Sequence, residues 1–178
     1  AEGTRYASRD DWRRGAKAYR KAIALRPDEP VAYFNLGSML GNSGHVVEAT
    51  QWYLEAKERY PVDSEDWGEA TAYAFDMLRL KECAEGAKPE WWNDEELKPL
   101  SARVVKAAPN NGHAVTMRAS VLFGGSGAWE TGPRSAAELR EAAAHWDRAV
   151  ALTDAPTLKA QKASLADRCR RLAEGEAV

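Results

Sequence analysis

The last stretch of the chain shows its hydrophobic order most plainly. Leu158, Leu165, Cys169 and Leu172 recur at i, i+7, i+11 and i+14 and form one apolar stripe, while Lys159, Lys162, Asp167, Arg170 and Arg171 occupy the other faces. That spacing is the signature of an amphipathic helix. Read the same way, the pattern predicts helices over 1–8, 10–25, 31–40, 46–60, 64–82, 94–107, 113–123, 135–152 and 157–173. No period-2 segment of useful length appears, so no strand is expected. Boundary chemistry supports the ends. Asp10-Asp11 and Asn93-Asp94-Glu95-Glu96 place acids where a helix N-terminus is positive. Ser135 with Glu138 has the form of a capping box, and Pro156 suits the first position of the last helix.

A second period lies over the helical one. Pro27 and Pro61 are 34 residues apart, and Gly3, Tyr6, Gly15, Tyr19 and Ala22 reappear 34 residues later as Gly37, Leu40, Ala49, Tyr53 and Ala56. A fixed period of this length means stacked supersecondary units. The second unit carries Tyr33, Leu36, Gly37, Leu40, Ala49, Tyr53, Ala56 and Pro61 in register. It resembles the tetratricopeptide repeat, whose helix pairs need small residues at Gly37 and Ala49 and seam-filling residues at the others. Pro61 ends the second helix, because its ring blocks continuation and its nitrogen has no hydrogen to donate. Asn42-Ser43-Gly44 is the turn, with Gly44 at positive φ. The resemblance implies an all-α, right-handed α-solenoid of about four helical hairpins plus a C-terminal capping helix, 157–173, in a single domain spanning 1–178.

The units become less regular along the chain. The first, about 1–29, is truncated: Ala1 falls near the sixth position of its repeat and no initiator methionine precedes it. That reads as a fragment, or a processed or trimmed chain. The second covers 30–63. In the third, 64–111, Trp67, Ala70 and Ala74 sit on first-helix positions and Thr71 takes the glycine slot. Pro109 follows Pro61 by 48 residues, so 14 have been inserted, and Gly86 and Pro89 locate them near 84–93. The fourth, 112–155, has Arg118 where leucine is usual, and about 11 extra residues over 124–134.

Composition narrows the function classes. At 178 residues the chain is one domain by size. No apolar run approaches the ~20 residues needed to span a bilayer. Net charge is −2, unevenly spread: residues 64–96 hold ten acids against three bases, and the last helix leans basic. The acidic middle is either a solvated face or a surface that steers a basic partner. Cys83 and Cys169, without a Cys-x-x-Cys, read as reduced, partly buried thiols, with a disulfide between them left open by the sequence. The compartment is undetermined, with a cytoplasm-like setting as the default.

Catalytic chemistry is absent from the pattern. His45, His113 and His145 show no metal-ligand spacing, and no metal or cofactor is expected. Gly124-Gly125-Ser126-Gly127 lacks the Lys-Ser/Thr of a phosphate loop and follows a helix rather than a strand. No nucleophile–base arrangement can be argued, so an enzyme is not expected. A pI near 6.0 offers no basic track for nucleic acid.

What remains is recognition. In the resembled family the first helix of each repeat lines a concave groove that holds a peptide or protein segment. Carried over by position, the groove residues are Phe34, Asn35, Ser38 and Asn42; then Glu65, Glu69, Ala72 and Phe75; then His113, Thr116, Met117 and Ser120. Asn35 suits bonding a peptide backbone, because an amide both donates and accepts. One subfamily clamps the C-terminal carboxylate of heat-shock chaperones with groove bases; Glu65 and Glu69 stand there instead and repel a carboxylate. The expected partner is therefore a protein or peptide, basic in character. Trp91, Trp92 and Trp129 in the insertions either fold back on the helices or contact a partner, and a structural subunit docked through them is the alternative.

Overall fold

A computed structural model describes residues 9–125 and 127–175. Among these residues eight α-helices run in order: α1 (Arg9–Leu25), α2 (Pro30–Asn42), α3 (Val46–Arg59), α4 (Glu65–Leu78), α5 (Asp94–Ala107), α6 (Gly112–Phe123), α7 (Ala136–Ala151) and α8 (Pro156–Ala173), with a short 3-10 turn at Lys81–Cys83. No strand occurs among the described residues. The helix expected over 1–8, with Gly3 and Tyr6, lies outside them. Each helix packs chiefly against its neighbour in sequence, and α4 also reaches α6. This is a stack of antiparallel hairpins (α2–α3, α4–α5, α6–α7) preceded by α1 and followed by α8.

The α2–α3 hairpin assembles as its residue types dictate. Gly37 lies against the face of the Tyr53 ring, where an added Cβ would come within 3.0–3.1 Å of three ring carbons. Gly44, at φ 85°, makes the turn. The α1–α2 corner closes on one carbonyl, that of Pro27, which accepts from Tyr33 Oη (2.8 Å) and Arg59 Nε (3.0 Å). Leu36, Leu40, Ala49 and Tyr53 are buried together with Ala16 of α1 and Ala74 of α4.

The α4–α5 hairpin departs from the repeat. The helix expected to reach residue 82 stops at Leu78, so the insertion begins at Arg79 rather than at 84. Just beyond the break Cys83 is buried under α3, its Sγ 3.4 Å from Thr50 Oγ1. The close approach has moved as well. Thr71, in the glycine slot, is buried and donates to the Trp67 carbonyl (2.7 Å). It is Gly68, one turn earlier, that meets α5: a Cβ there would lie 3.2 Å from Ala107 Cβ, Ala108 Cβ and the Val104 carbonyl oxygen.

Both insertions fold back and dock on each other over Phe75. Trp92 and Trp129 are buried, with ring centroids 5.5 and 5.7 Å from Phe75 and 5.7 Å apart. Trp92 Nε1 donates to the Ala128 carbonyl (3.1 Å) and Trp129 Nε1 to Asp94 Oδ1 (3.3 Å). Asp94 is also gripped by the Arg134 guanidinium, which donates further to the Val121 carbonyl (2.9 Å). Arg134 holds the Asp94 carboxyl down at about 2. Trp91 stays partly buried against the same core. Arg118, in a leucine slot, ties α6 to both neighbours: it donates to the Lys98 carbonyl (2.8 Å) and to Glu141 (2.7 Å). Arg118 thus bonds across the seam that leucine would fill by packing.

At the C-terminal end, α8 buries Ala166 and Cys169 against α7, while Leu158, expected on the apolar stripe, is half exposed. The stripe twists away from α7 before it reaches the helix start. Both cysteines are free thiols, and they are fully buried rather than partly so.

Candidate partner-binding face

The first helices of the three hairpins, α2, α4 and α6, are joined by a ladder of rings. Phe34 meets Tyr73 edge-on at 5.4 Å, and Tyr73 meets His113 at 4.1 Å. Tyr53 of α3 lies beneath, stacked on Tyr73 at 5.2 Å, with its hydroxyl donating to Ser38 Oγ (3.1 Å). Burial pushes the Tyr53 phenol up to about 12. Phe34, Tyr73 and His113 all remain partly exposed, so the ladder is accessible from one side.

His113 owes its position to Asn111, whose side chain caps α6 by accepting from the backbone N–H groups of His113 and Ala114. Its Nδ1 lies 2.6 Å from Asp76 Oδ2 and donates to that carboxylate. Beside the ladder stand Glu65, Asp66 and Glu69 on the first turns of α4, where the helix dipole favours acids. Burial and the neighbouring Asp66 carboxylate push the Glu69 carboxyl upward, partly offset by His113 and a hydrogen bond from Asn111. At the other end of α4 the sign reverses. Arg79 lies 3.9 Å from Asp76, and Lys162 of α8 donates to Thr153 Oγ1 (2.8 Å). Burial pulls the Lys162 ammonium down, and Asp76 counters it. The face is therefore acidic at one end, aromatic in the middle and basic at the other.

The sequence-derived residues divide. Phe34, Asn35, Ser38, Glu69, His113 and Thr116 are partly exposed on this face, and Asn42 and Glu65 are exposed. Asn35 has no side-chain hydrogen bond among the described residues and borders an open hollow of about 280 Å³ with Tyr19, Ala22 and Val31. Four residues do not belong to the face: Ala72, Phe75 and Met117 are fully buried, and Ser120 is 2% exposed. On α4 the exposed line from Glu69 runs through Tyr73 and Asp76 to Arg79, steps of four, three and three. The line through Ala72 and Phe75 turns inward, because Phe75 is the anvil for the two insertion tryptophans. Tyr73, Asp76 and Arg79 are thus the residues that positional transfer missed. The 3.6-residue period starting from the charged Glu69 finds all three.

Among the described residues no group of acidic, histidine or cysteine side chains is arranged to hold a metal, and no helix is long and apolar enough to cross a membrane.

A stack of helical hairpins with a partly exposed face across its first helices is the architecture of a helical-repeat interaction protein. The tetratricopeptide repeat family model matches residues 18–51, from the second half of α1 through all of α2 into α3. This segment belongs to the tetratricopeptide repeat family, a fold that generally serves protein–protein interaction and not catalysis. No curated protein matches the chain.

Proposed function

We propose that the chain is a non-enzymatic module that holds an extended protein segment along α2, α4 and α6, and that residues 1–178 act as one domain of four hairpin units and a final helix. The ring ladder Phe34–Tyr73–His113 carries this reading, because it supplies a continuous partly exposed aromatic floor across three consecutive units. Aromatic anchors of this kind concentrate binding energy. The acids Glu65, Asp66 and Glu69 beside the floor favour a lysine or arginine of the segment and disfavour a chaperone's C-terminal carboxylate in that position. No nucleic acid is proposed, for want of a basic track. The competing idea of docking through the insertions has little to offer a partner, since Trp92 and Trp129 are used internally.

The test is an array of peptides scanned for binding, followed by titration of the best binder against Tyr73→Ala. Enrichment of Lys/Arg beside an apolar residue is expected, with a loss of at least about 2 kcal/mol in the variant, the hot-spot range. Selection of peptides indifferent to Tyr73 and to Glu69→Gln would remove the reading.

A further inference from the structure

The first helix and the insertion of the third unit carry charges of opposite sign. On α1, Arg13, Arg14, Lys17 and Lys21 are exposed. At about 100° per residue they fall with Arg20 on one outward arc of the helix. The other side, with Trp12, Ala16, Tyr19 and Ile23, packs on the core. Arg20 is paired with Glu48 at the edge of the arc, and Arg13 rests over the Trp12 ring, 5.5 Å from its centroid. Arg13, Arg14, Lys17 and Lys21 form no ion pair among the described residues. Arg13 with Lys17, and Lys17 with Lys21, are like charges four residues apart, an arrangement that weakens a helix left bare. Leu25, 72% exposed, ends the same side.

The 79–93 insertion has the reverse sign. Glu82, Glu85 and Glu90 are exposed and form no ion pair among the described residues. Glu95 and Glu96 sit on the first turn of α5, where the helix dipole favours acids; the three insertion glutamates have no α-helix N-terminus to favour them. Lys88, a base of the same loop, is turned beneath it: its ammonium donates to the Leu78 and Cys83 carbonyls and lies 5.7 Å from the Trp92 ring centroid. Leu80, 40% exposed, borders the acids. Each patch therefore sets one exposed leucine beside several unpaired charges of a single sign.

We infer that α1 of one copy of this chain docks on the 79–93 insertion of a second copy, bases against glutamates, with Leu25 and Leu80 supplying the apolar contact. Within one chain α1 packs against α2 while the turn of the insertion packs against α3, and no ion pair joins the two patches. The second copy is the occupant because the complementary surface is carried on the same molecule and in similar strength, four free bases against three free acids. A net charge of −2 leaves little overall repulsion between copies. The contact is heterologous, since two different patches meet. Opposite fields steer the copies together, and the small apolar content makes the contact transient and sensitive to salt. It uses none of the ring-ladder residues and does not depend on a segment lying there.

The experiment is sedimentation equilibrium of the whole chain over a concentration series. The average mass should rise with concentration at about 50 mM salt, and the association constant should fall tenfold or more at about 500 mM, where charges are screened over a few ångströms. Two charge-reversed variants sharpen the test: Arg14→Glu with Lys17→Glu and Lys21→Glu, and Glu82→Lys with Glu85→Lys and Glu90→Lys. Each carries two patches of one sign and should stay monomeric at low salt. An equimolar mixture should associate again, because each acidic patch then meets a basic one. All six positions are exposed, and circular dichroism reports whether the helices persist. Should a variant lose them, the salt series on the unmodified chain still decides. A monomer at every concentration in low salt, an association indifferent to salt, or a mixture of folded variants that stays monomeric overturns the inference. Salt-sensitive binding of polyglutamate by a chain that does not self-associate also overturns it, and gives α1 to an acidic partner of another kind. None of these outcomes bears on Tyr73 or Glu69, so the groove reading stands or falls separately.

Discussion

The α2–α3 hairpin and the α4–α7 block solve the same packing problem differently. In α2–α3 a glycine lets a tyrosine ring lie flat against the opposing helix, and the seam is filled by Leu36, Leu40 and Ala49. Nothing outside the two helices is needed except the neighbours. In α4–α7 the helices spread and the gap is filled from elsewhere, by Trp92 and Trp129 from two loops, fastened by Asp94 and Arg134. A regular repeat draws its stability from local complementarity with adjacent helices. An irregular one draws on long-range contacts, in which residues 35 to 40 positions apart must meet. The second strategy concentrates stability in a few side chains, so the two regions should respond unequally to perturbation.

The largest effect is expected from Trp129→Ala. It removes the ring that closes the contact between Phe75 and Trp92, and should cost about 3–5 kcal/mol in urea unfolding. Hydrogen exchange should show the loss in α4–α6 with α2–α3 little changed. Uniform loss across both regions would erase the distinction drawn here.

Acid comes next. Arg134 holds the Asp94 carboxyl at about 2, and Lys98, with the Ser135 backbone N–H, holds Glu138 at about 2 as well, against ordinary values of 3.8 and 4.5. Both pKa values are lowered by folding, so their contribution is complete above the ordinary values and is lost as pH falls toward 2. The α4–α7 block should therefore lose protection in that window before α2–α3 does. Asp94→Ala, which strands the buried Arg134 guanidinium, should cost about 3 kcal/mol at neutral pH and flatten the acid dependence. A variant that keeps the wild-type acid profile would show that the ion pair is incidental.

The two close-approach glycines sharpen the contrast. Gly68→Ala presses against the backbone and Cβ atoms of α5, which move only if the helix moves, and should cost about 1–3 kcal/mol. Gly37→Ala presses against carbons of the Tyr53 side chain rather than against a helix backbone, and should cost less, below about 1.5 kcal/mol. The reverse order, read from thermal midpoints, would mean that the regular hairpin is the stiffer one.

The smallest effect belongs to the cap of α7. Ser135 Oγ accepts from the Glu138 N–H (3.2 Å) while the Glu138 carboxylate accepts from the Ser135 N–H (2.8 Å). Ser135→Ala should cost about 1 kcal/mol and fray only the first turn of α7.

How much of this was legible beforehand depends on the range of the forces involved. Helix positions follow from i, i+3, i+4 periodicity and from caps, which act within a few residues; α5 over Asp94–Ala107 and the Ser135 box are cases where local chemistry was sufficient. The end of α4 was not legible: the helix stops at Leu78, and Cys83 just beyond it packs against Thr50, 33 residues back, a contact that no local pattern announces. Exposure on the first helices could be read in part: Phe34, Asn35, Glu69 and His113, placed there by the repeat period, are partly exposed. Phe75 and Met117 could not, since their inward turn depends on tryptophans supplied by insertions that have no counterpart in the repeat.

The order of residues alone settles that this chain is helical, that its first two units repeat at 34, and that small residues mark where helices approach. Those properties come from backbone sterics, side-chain volume and hydrogen bonds over a single turn. The tertiary structure decided which side of α4 faces outward and where the two insertions rest. Those outcomes are set by competition among distant side chains for the same buried volume, and that competition is resolved only when the whole stack assembles.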